Sequence, residues 1–188
     1  MAQNVQSDNP PGRGKELIKL LQTTTLFKGL SDSEVKFFLS RCGRQRAKKF
    51  ENIIQEGEAG GSLFYILEGQ AYITREVGKQ DEFLGMLKKG DTFGEAGLLM
   101  GGFRSAGVRT QTDCLLLVIQ AEVIEGLEGE IAFKIIRNIG ISALEKLQLS
   151  NNLIRRLSAE LQSLRPEAPD WNRDEEDFIS RFGESPEV

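Results

Sequence analysis

The hydrophobic period of this chain changes once, near Leu127, and that single change limits the folds open to it. Before it, short apolar segments follow one another: Arg46–Phe50, Ile53–Gln55, Ser62–Leu67, Gln70–Arg75, Glu82–Lys88, Ser105–Gln111 and Cys114–Ile119. Glycine or Asn/Asp interrupts most of the gaps, with turns at Glu56-Gly57-Glu58-Ala59-Gly60-Gly61 and Leu67-Glu68-Gly69-Gln70. Short strands at this spacing predict a mainly β fold, a β-sandwich or jelly roll, with Phe64, Ile66, Tyr72, Leu84 and Leu87 in its core. After Leu127 the period is helical without a break. Phe133, Ile136, Gly140, Ala143, Leu147, Ser150, Ile154, Leu157, Leu161 and Leu164 recur in steps of three and four. Residues 130–165 would form a rod of roughly 50 Å, stopped by Pro166.

A rod of that length outruns one small barrel. Phe133 and Ile136 are expected to pack on the barrel, and the C-terminal half needs another partner, most simply the same helix of a second chain. Gly140 and Ala143 would let two such helices approach closely, and Leu147, Ile154, Leu157, Leu161 and Leu164 would form the seam. Ser150 is a polar register mark within it. The flanks complete the plan. Residues 1–14 are polar, carry Pro10-Pro11-Gly12, and are expected to be disordered. Residues 15–43 hold a helix over Glu16–Gln22 and a second over Asp32–Arg41. The second starts at a Ser31-to-Glu34 capping box and buries Val35, Phe38 and Leu39. Leu26, Phe27 and Leu30 would staple that helix to the barrel of residues 44–128, which the long helix, 129–165, follows. Residues 166–188 are bounded by proline and hold eight acids against two bases. Their Trp171, Phe178, Ile179 and Phe182 suit either a segment folded back on the barrel or a peptide that docks an effector.

Composition excludes several classes of function. The formal net charge of −4 argues against a nucleic-acid binder, and the acidity belongs to the tail, whose −6 leaves about +2 for residues 1–165. Two cysteines, Cys42 and Cys114, in apolar contexts are expected to be buried thiols of a cytoplasmic protein. The longest aliphatic run, Leu115–Ile119, is far too short to span a membrane, and no signal peptide is read at the N-terminus. The chain has no histidine. A zinc or iron site is therefore not expected, and Ser-His or Cys-His catalysis is ruled out. No catalytic residue, metal or cofactor is assigned.

The chemistry concentrates between Gly90 and Thr110, GDTFGEAGLLMGGFRSAGVRT. One acid, Glu95, and one base, Arg104, lie nine residues apart around a glycine-rich turn of helix. Small residues at Gly94, Ala96 and Gly97 let a ligand approach the backbone. The first N–H groups of a short helix beginning near Glu95 have no internal partners and suit an anion. Arg104 can answer that anion with a planar, permanent charge. Glu95 would be repelled by a phosphate and is better suited to accepting from hydroxyls. One anion beside one hydroxyl describes a sugar phosphate.

Phe93-Gly94-Glu95, Leu98-Leu99 and Arg104-Ser105-Ala106 resemble the phosphate-binding cassette of cyclic nucleotide-binding domains, the family of the bacterial catabolite activator protein and the regulatory subunits of protein kinase A. Arg104-Ser105-Ala106 with Val108-Arg109 and Cys114 is most similar to the bacterial catabolite activator branch. The resemblance covers roughly Leu26 to Leu164. It implies that Glu95 binds the ribose 2′-hydroxyl, and that Arg104, Ser105 and the N–H groups of Ala96 and Gly97 hold the cyclic phosphate. It also implies that Ile73 and Leu84 line the base pocket and that the long helix caps the base near Lys146 to Asn151. One position departs from the pattern. The family places Gly-Asp where this chain has Gly60-Gly61, so the arginine loses a carboxylate that would orient it, and Glu58 is the available substitute.

The reading that follows is a stand-alone receptor for a cyclic nucleotide, cyclic AMP before cyclic GMP, dimeric through its long helix and signalling through an effector protein. The other reading is a ligand-free barrel of the same fold serving as a dimeric adaptor. Gly61 favours the second. Retention of Glu95, Arg104 and Ser105 together favours the first.

Overall fold

The computed structural model describes residues 13–78 and 80–164; of the disorder expected over residues 1–14, Arg13 and Gly14 are instead helical, and residues 1–12 and the acidic segment 166–188 lie outside the described residues. Helix α1 (Arg13–Gln22) leads through a 3-10 turn at Thr25–Phe27 into α2 (Asp32–Arg41). The capping box forms as its sequence predicts. The Ser31 hydroxyl accepts from the Glu34 N–H at 3.3 Å, and the Glu34 carboxylate accepts from the Ser31 N–H at 2.6 Å.

Eight strands follow: β1 (Gly43–Ala47), β2 (Asn52–Ile54), β3 (Leu63–Glu68), β4 (Gln70–Val77), β5 (Gln80–Lys88), β6 (Thr92–Phe93), β7 (Gly107–Thr110) and β8 (Cys114–Ile119). They form two antiparallel four-stranded sheets, ordered β1-β8-β3-β6 and β2-β7-β4-β5. Between β6 and β7 lies the short helix α3 (Glu95–Met100), and β8 is followed by α4 (Ala121–Glu125) and α5 (Gly129–Leu164). This is a β-roll with flanking helices and a long C-terminal helix, the fold class expected from the change of period.

Alternation along the strands sorts the core into two layers. Phe64, Ile66, Ala71, Leu87, Phe93, Val108 and Leu116 meet between the sheets. The opposite side of β3 and β8 presents Leu63, Tyr65, Leu117 and Ile119 to Ile18 and Leu21 of α1, Phe27, Val35 and Phe38, and Ile135 and Ile139 of α5. Phe27 is the hinge of this layer, edge-on to Tyr65 at 5.3 Å and to Phe38 at 6.1 Å. Leu26, Phe27 and Leu30 are buried as expected, whereas Leu39 is only half-buried.

Several expectations are corrected. Tyr72 and Leu84 are not core. Tyr72 faces outward on β4, and Leu84, 49% exposed, is the extra residue where the β4–β5 register shifts. The first strand ends at Ala47, so Phe50 belongs to the turn after it. Strand β6 is too short for its alternation to register in the sequence. Phe133 and Ile136 do not pack on the barrel; they are 67% and 46% exposed. The face of α5 that packs is Ile135, Asn138, Ile139 and Ser142, offset from theirs around the helix. Asn138 is buried because its amide donates to the carbonyls of Leu26 and Lys28, at 3.0 and 2.8 Å.

The chain divides into two units after Leu144, inside α5. In the second unit the helix continues to Leu164 with every residue from Leu147 to Leu161 exposed. Among the described residues no helix is long and apolar enough to cross a membrane. Cys114 is buried and Cys42 half-buried; both are free thiols. Burial pushes the Cys42 thiol up to about 12.

Candidate functional site

The stretch Gly90–Thr110 folds as a turn, β6, α3, a glycine loop and β7. Gly94 joins β6 to α3 with φ of +87°, a conformation that glycine adopts without strain. That joint aims Glu95, the first residue of α3, inward, where it is 8% exposed. Its carboxylate accepts from the Thr92 hydroxyl at 2.5 Å. Ser142 arrives from α5, with its hydroxyl 2.8 Å from that of Thr92 and 3.5 Å from the same Glu95 oxygen. A buried carboxylate tied to hydroxyls is suited to recognising a further hydroxyl.

Arg104 is also buried, at 8% exposure. Its backbone is stitched to the turn before β3: its N–H donates to the Glu58 carbonyl at 2.7 Å, and its carbonyl accepts from Gly57 at 2.9 Å. The guanidinium runs under α3, donating through Nη2 to the Ser62 carbonyl at 2.9 Å and through Nη1 to the Gly94 carbonyl at 3.2 Å. Burial lowers its pKa from the ordinary arginine value and the charge of Glu58 opposes the shift. An arginine starts far enough above neutral to stay a cation.

Two glycines make room for it. A Cβ at Gly60 would stand 2.6 Å from Nε, and one at Gly97 would stand 2.6 Å from Nη1 and 2.4 Å from the Gly60 carbonyl. The Gly60-Gly61 pair is thus half explained. Gly60 must lack a side chain, while a Cβ at Gly61 would meet only the Ala121 side chain at 3.6 Å. In place of a carboxylate at position 61, the carbonyls of Ser62 and Gly94 orient the guanidinium, and Glu58 adds its field.

Gly94, Glu95, Gly97 and Arg104 are therefore brought together. Ala96 and Ser105 lie exposed beside them and Ala106 half-buried. Ile73 is half-buried against the interior layer that holds Phe64 and Phe93, while Leu84 sits on the β5 bulge. Sequence reasoning missed Thr92, Ser142, Gly60 and Ser62. Thr92 and Ser142 carried a faint signal as polar residues in otherwise apolar surroundings. Gly60 was legible only as part of a glycine turn, not as room for Arg104, and Ser62 carried no signal because its carbonyl makes the contact. Among the described residues no group of three His, Cys, Asp or Glu could hold a metal ion.

Comparison with known proteins agrees with this fold. The model of the cyclic nucleotide-binding domain matches residues 44–128. The cAMP-activated global transcriptional regulator of Escherichia coli is 30% identical over 138 residues, covering 72% of this chain and 57% of the regulator. The mouse cGMP-dependent protein kinase 2 is 28% identical over 130 residues, covering 68% of this chain and 17% of the kinase. The chain thus spans just over half of one relative and about a sixth of the other. Among solved structures, a cyclic nucleotide-binding domain from Methylobacillus flagellatus superposes with a TM-score of 0.69 at 19% identity, over 77% of this chain and 83% of that one. The Thermus thermophilus catabolite activator protein does so at 0.53 and 29%, over 75% and 63%. Residues 44–128 are thus similar to the cyclic nucleotide-binding domain.

Proposed function

We propose that this protein is a receptor for a cyclic nucleotide, that it dimerises through α5 and that it passes the signal to an effector protein. The observation that carries the reading is the pairing of a buried carboxylate, Glu95, with a buried cation, Arg104, on either side of the Gly94 joint. Glu95 takes the ribose 2′-hydroxyl. Arg104, Ser105 and the N–H groups of Ala96 and Gly97 take the cyclic phosphate, and Ile73 and Leu84 line the base. No catalytic step is assigned to any of these groups. Ser105, as in the activators that respond to cyclic AMP, favours cyclic AMP over cyclic GMP.

Support for dimerisation comes from the open face of α5. Leu147, Ile154, Leu157, Leu161 and Leu164 are 49–78% exposed, at the spacing of a coiled-coil seam with Ser150 among them. Gly140 and Ala143 are half-buried at the head of that seam.

A second reading, a ligand-free dimeric adaptor, is favoured by one observation. Arg104 and Glu95 already have internal partners, so the site is satisfied without a ligand. Titration calorimetry with cyclic AMP and cyclic GMP separates the two. The receptor reading expects saturable one-to-one binding, tighter for cyclic AMP. Absence of heat with both at millimolar ligand would leave the adaptor.

A further inference from the structure

We propose that the outer face of the β2-β7-β4-β5 sheet is a docking surface for an acidic, aromatic-bearing segment of a partner protein. Every buried apolar residue of α1, α2 and α5 belongs to the layer built on β3 and β8 of the other sheet, so among the described residues the helices bury no apolar side chain against this face. One row of side chains crosses all four strands in register: Asn52, Arg109, Tyr72 and Met86. Phe83 stands edge-on to Tyr72 at 6.4 Å, and Phe50 flanks Arg109. Phe50, Phe83 and Met86 are 51, 59 and 54% exposed.

Phe50 supplies an independent observation. It is the single non-glycine residue with positive φ, +66°, among the described residues, an arrangement that is strained for a bulky side chain. The surrounding hydrogen bonds enforce it. The Phe50 N–H donates to the Thr110 carbonyl at 3.0 Å, Arg109 Nε donates to the Phe50 carbonyl at 2.9 Å, and the Glu51 N–H donates to the Thr110 hydroxyl at 2.8 Å. The strain leaves the ring half exposed. It holds a phenyl ring in water between Lys49, whose Nζ is 4.7 Å from the ring centre, and Arg109, whose Cζ is 5.8 Å from it. Glycine would make the same turn unstrained.

Charge selects the occupant. Neither Lys49 nor Arg109 takes part in an ion pair among the described residues, so two unneutralised cations border an exposed apolar row. A second copy of the same face would bring like charges together. A segment with carboxylates beside aromatic or aliphatic side chains satisfies both features at once. Single-stranded nucleic acid could also use aromatics and cations, and oligothymidine binding is the measurement that tests for it.

The experiment selects peptides from a random display library on the full chain and measures those recovered against Phe50→Gly and Arg109→Glu proteins. Cyclic nucleotide binding and thermal unfolding report the integrity of each variant. The expected result is a set of peptides rich in Asp, Glu and aromatics, weakened at least about tenfold by either substitution, with Phe50→Gly raising the unfolding temperature. The proposal is overturned if no peptide is recovered, if those recovered lack acids, or if they bind both variants as tightly as the parent. It is equally overturned if Phe50→Gly lowers the unfolding temperature, since the ring would then be structural. Loss of oligothymidine binding or of self-association in the same variants, with no acidic peptide selected, would assign the face to those occupants instead.

Discussion

The Ser142 hydroxyl, carried by α5, lies 3.5 Å from the Glu95 carboxylate at the start of α3 and 2.8 Å from the Thr92 hydroxyl that donates to the same oxygen. The group proposed to recognise the sugar is thus held by the element proposed to carry the output. A ribose hydroxyl must share Glu95 with Ser142 or displace it, and either choice changes what α5 gains from its present position. A ligand shifts such an equilibrium only through its different affinity for the two arrangements.

Replacing Ser142 by alanine removes one competitor for Glu95 without touching the phosphate side. A hydrogen bond of this kind contributes about 0.5–1.5 kcal/mol, so cyclic nucleotide should bind about two- to tenfold more tightly. Calorimetry on the variant measures this directly. Weaker binding would mean that Ser142 supports the ligand rather than competing with it.

Replacing Arg104 by alanine should weaken nucleotide binding by about 2–5 kcal/mol, because the phosphate would meet no permanent charge. The carbonyls of Ser62 and Gly94 also lose their donor, so the urea midpoint should fall. A folded variant with parental affinity would remove Arg104 from the site.

Gly97→Ala tests the same cation while leaving every charged group in place. The new methyl would sit 2.4 Å from the Gly60 carbonyl and 2.6 Å from Nη1 of Arg104, so the guanidinium or the turn must move. Overpacking of this kind costs about 1–3 kcal/mol, and affinity should drop by at least tenfold, roughly 1.4 kcal/mol. Gly61→Ala is the control, since its methyl meets only the Ala121 side chain at 3.6 Å.

Glu34 links the N-terminal cap of α2 to α5, its carboxylate accepting from the Ser31 N–H at 2.6 Å and from Lys134 at 3.0 Å. The backbone hydrogen bond from Ser31, followed by the Ser31 and Lys134 side chains, holds its pKa below the usual glutamate range. A carboxylate depressed in the folded state stabilises above its unfolded value. That contribution is lost as pH falls through the folded value. The urea midpoint should therefore decline below the ordinary glutamate pKa, and Glu34→Gln should flatten part of that decline. An unchanged acid profile would show that the cap contributes nothing measurable.

Leu157, 49% exposed in the described chain, lies at the centre of the proposed α5 seam. Each leucine buried there contributes roughly 1.5–3 kcal/mol against an association cost of about 4–15 kcal/mol. Leu157→Glu loses that burial on both chains, and sedimentation should show a monomer with an intact barrel. A monomeric parent protein at micromolar concentration would count against the dimer itself.

Periodicity alone determined the succession of elements. Two-residue alternation between glycines specifies short strands wherever they are long enough to alternate, and β6, only Thr92–Phe93, is not. The spacing of Glu95 and Arg104 around small residues likewise marks the candidate site along the chain. Sequence could not decide which stripe of α5 faces the barrel. Phe133 and Ile136 are more apolar than Asn138 and Ser142, yet the latter are buried. Each has a partner on another element, Asn138 at the Leu26 and Lys28 carbonyls and Ser142 at Thr92. Nor could it show that backbone carbonyls orient Arg104 where a carboxylate had been expected, because a carbonyl carries no sequence signature. Local propensity and period are properties of neighbouring residues and can be read along the chain. The partners of a buried polar group come from distant segments, and only their packing together decides them.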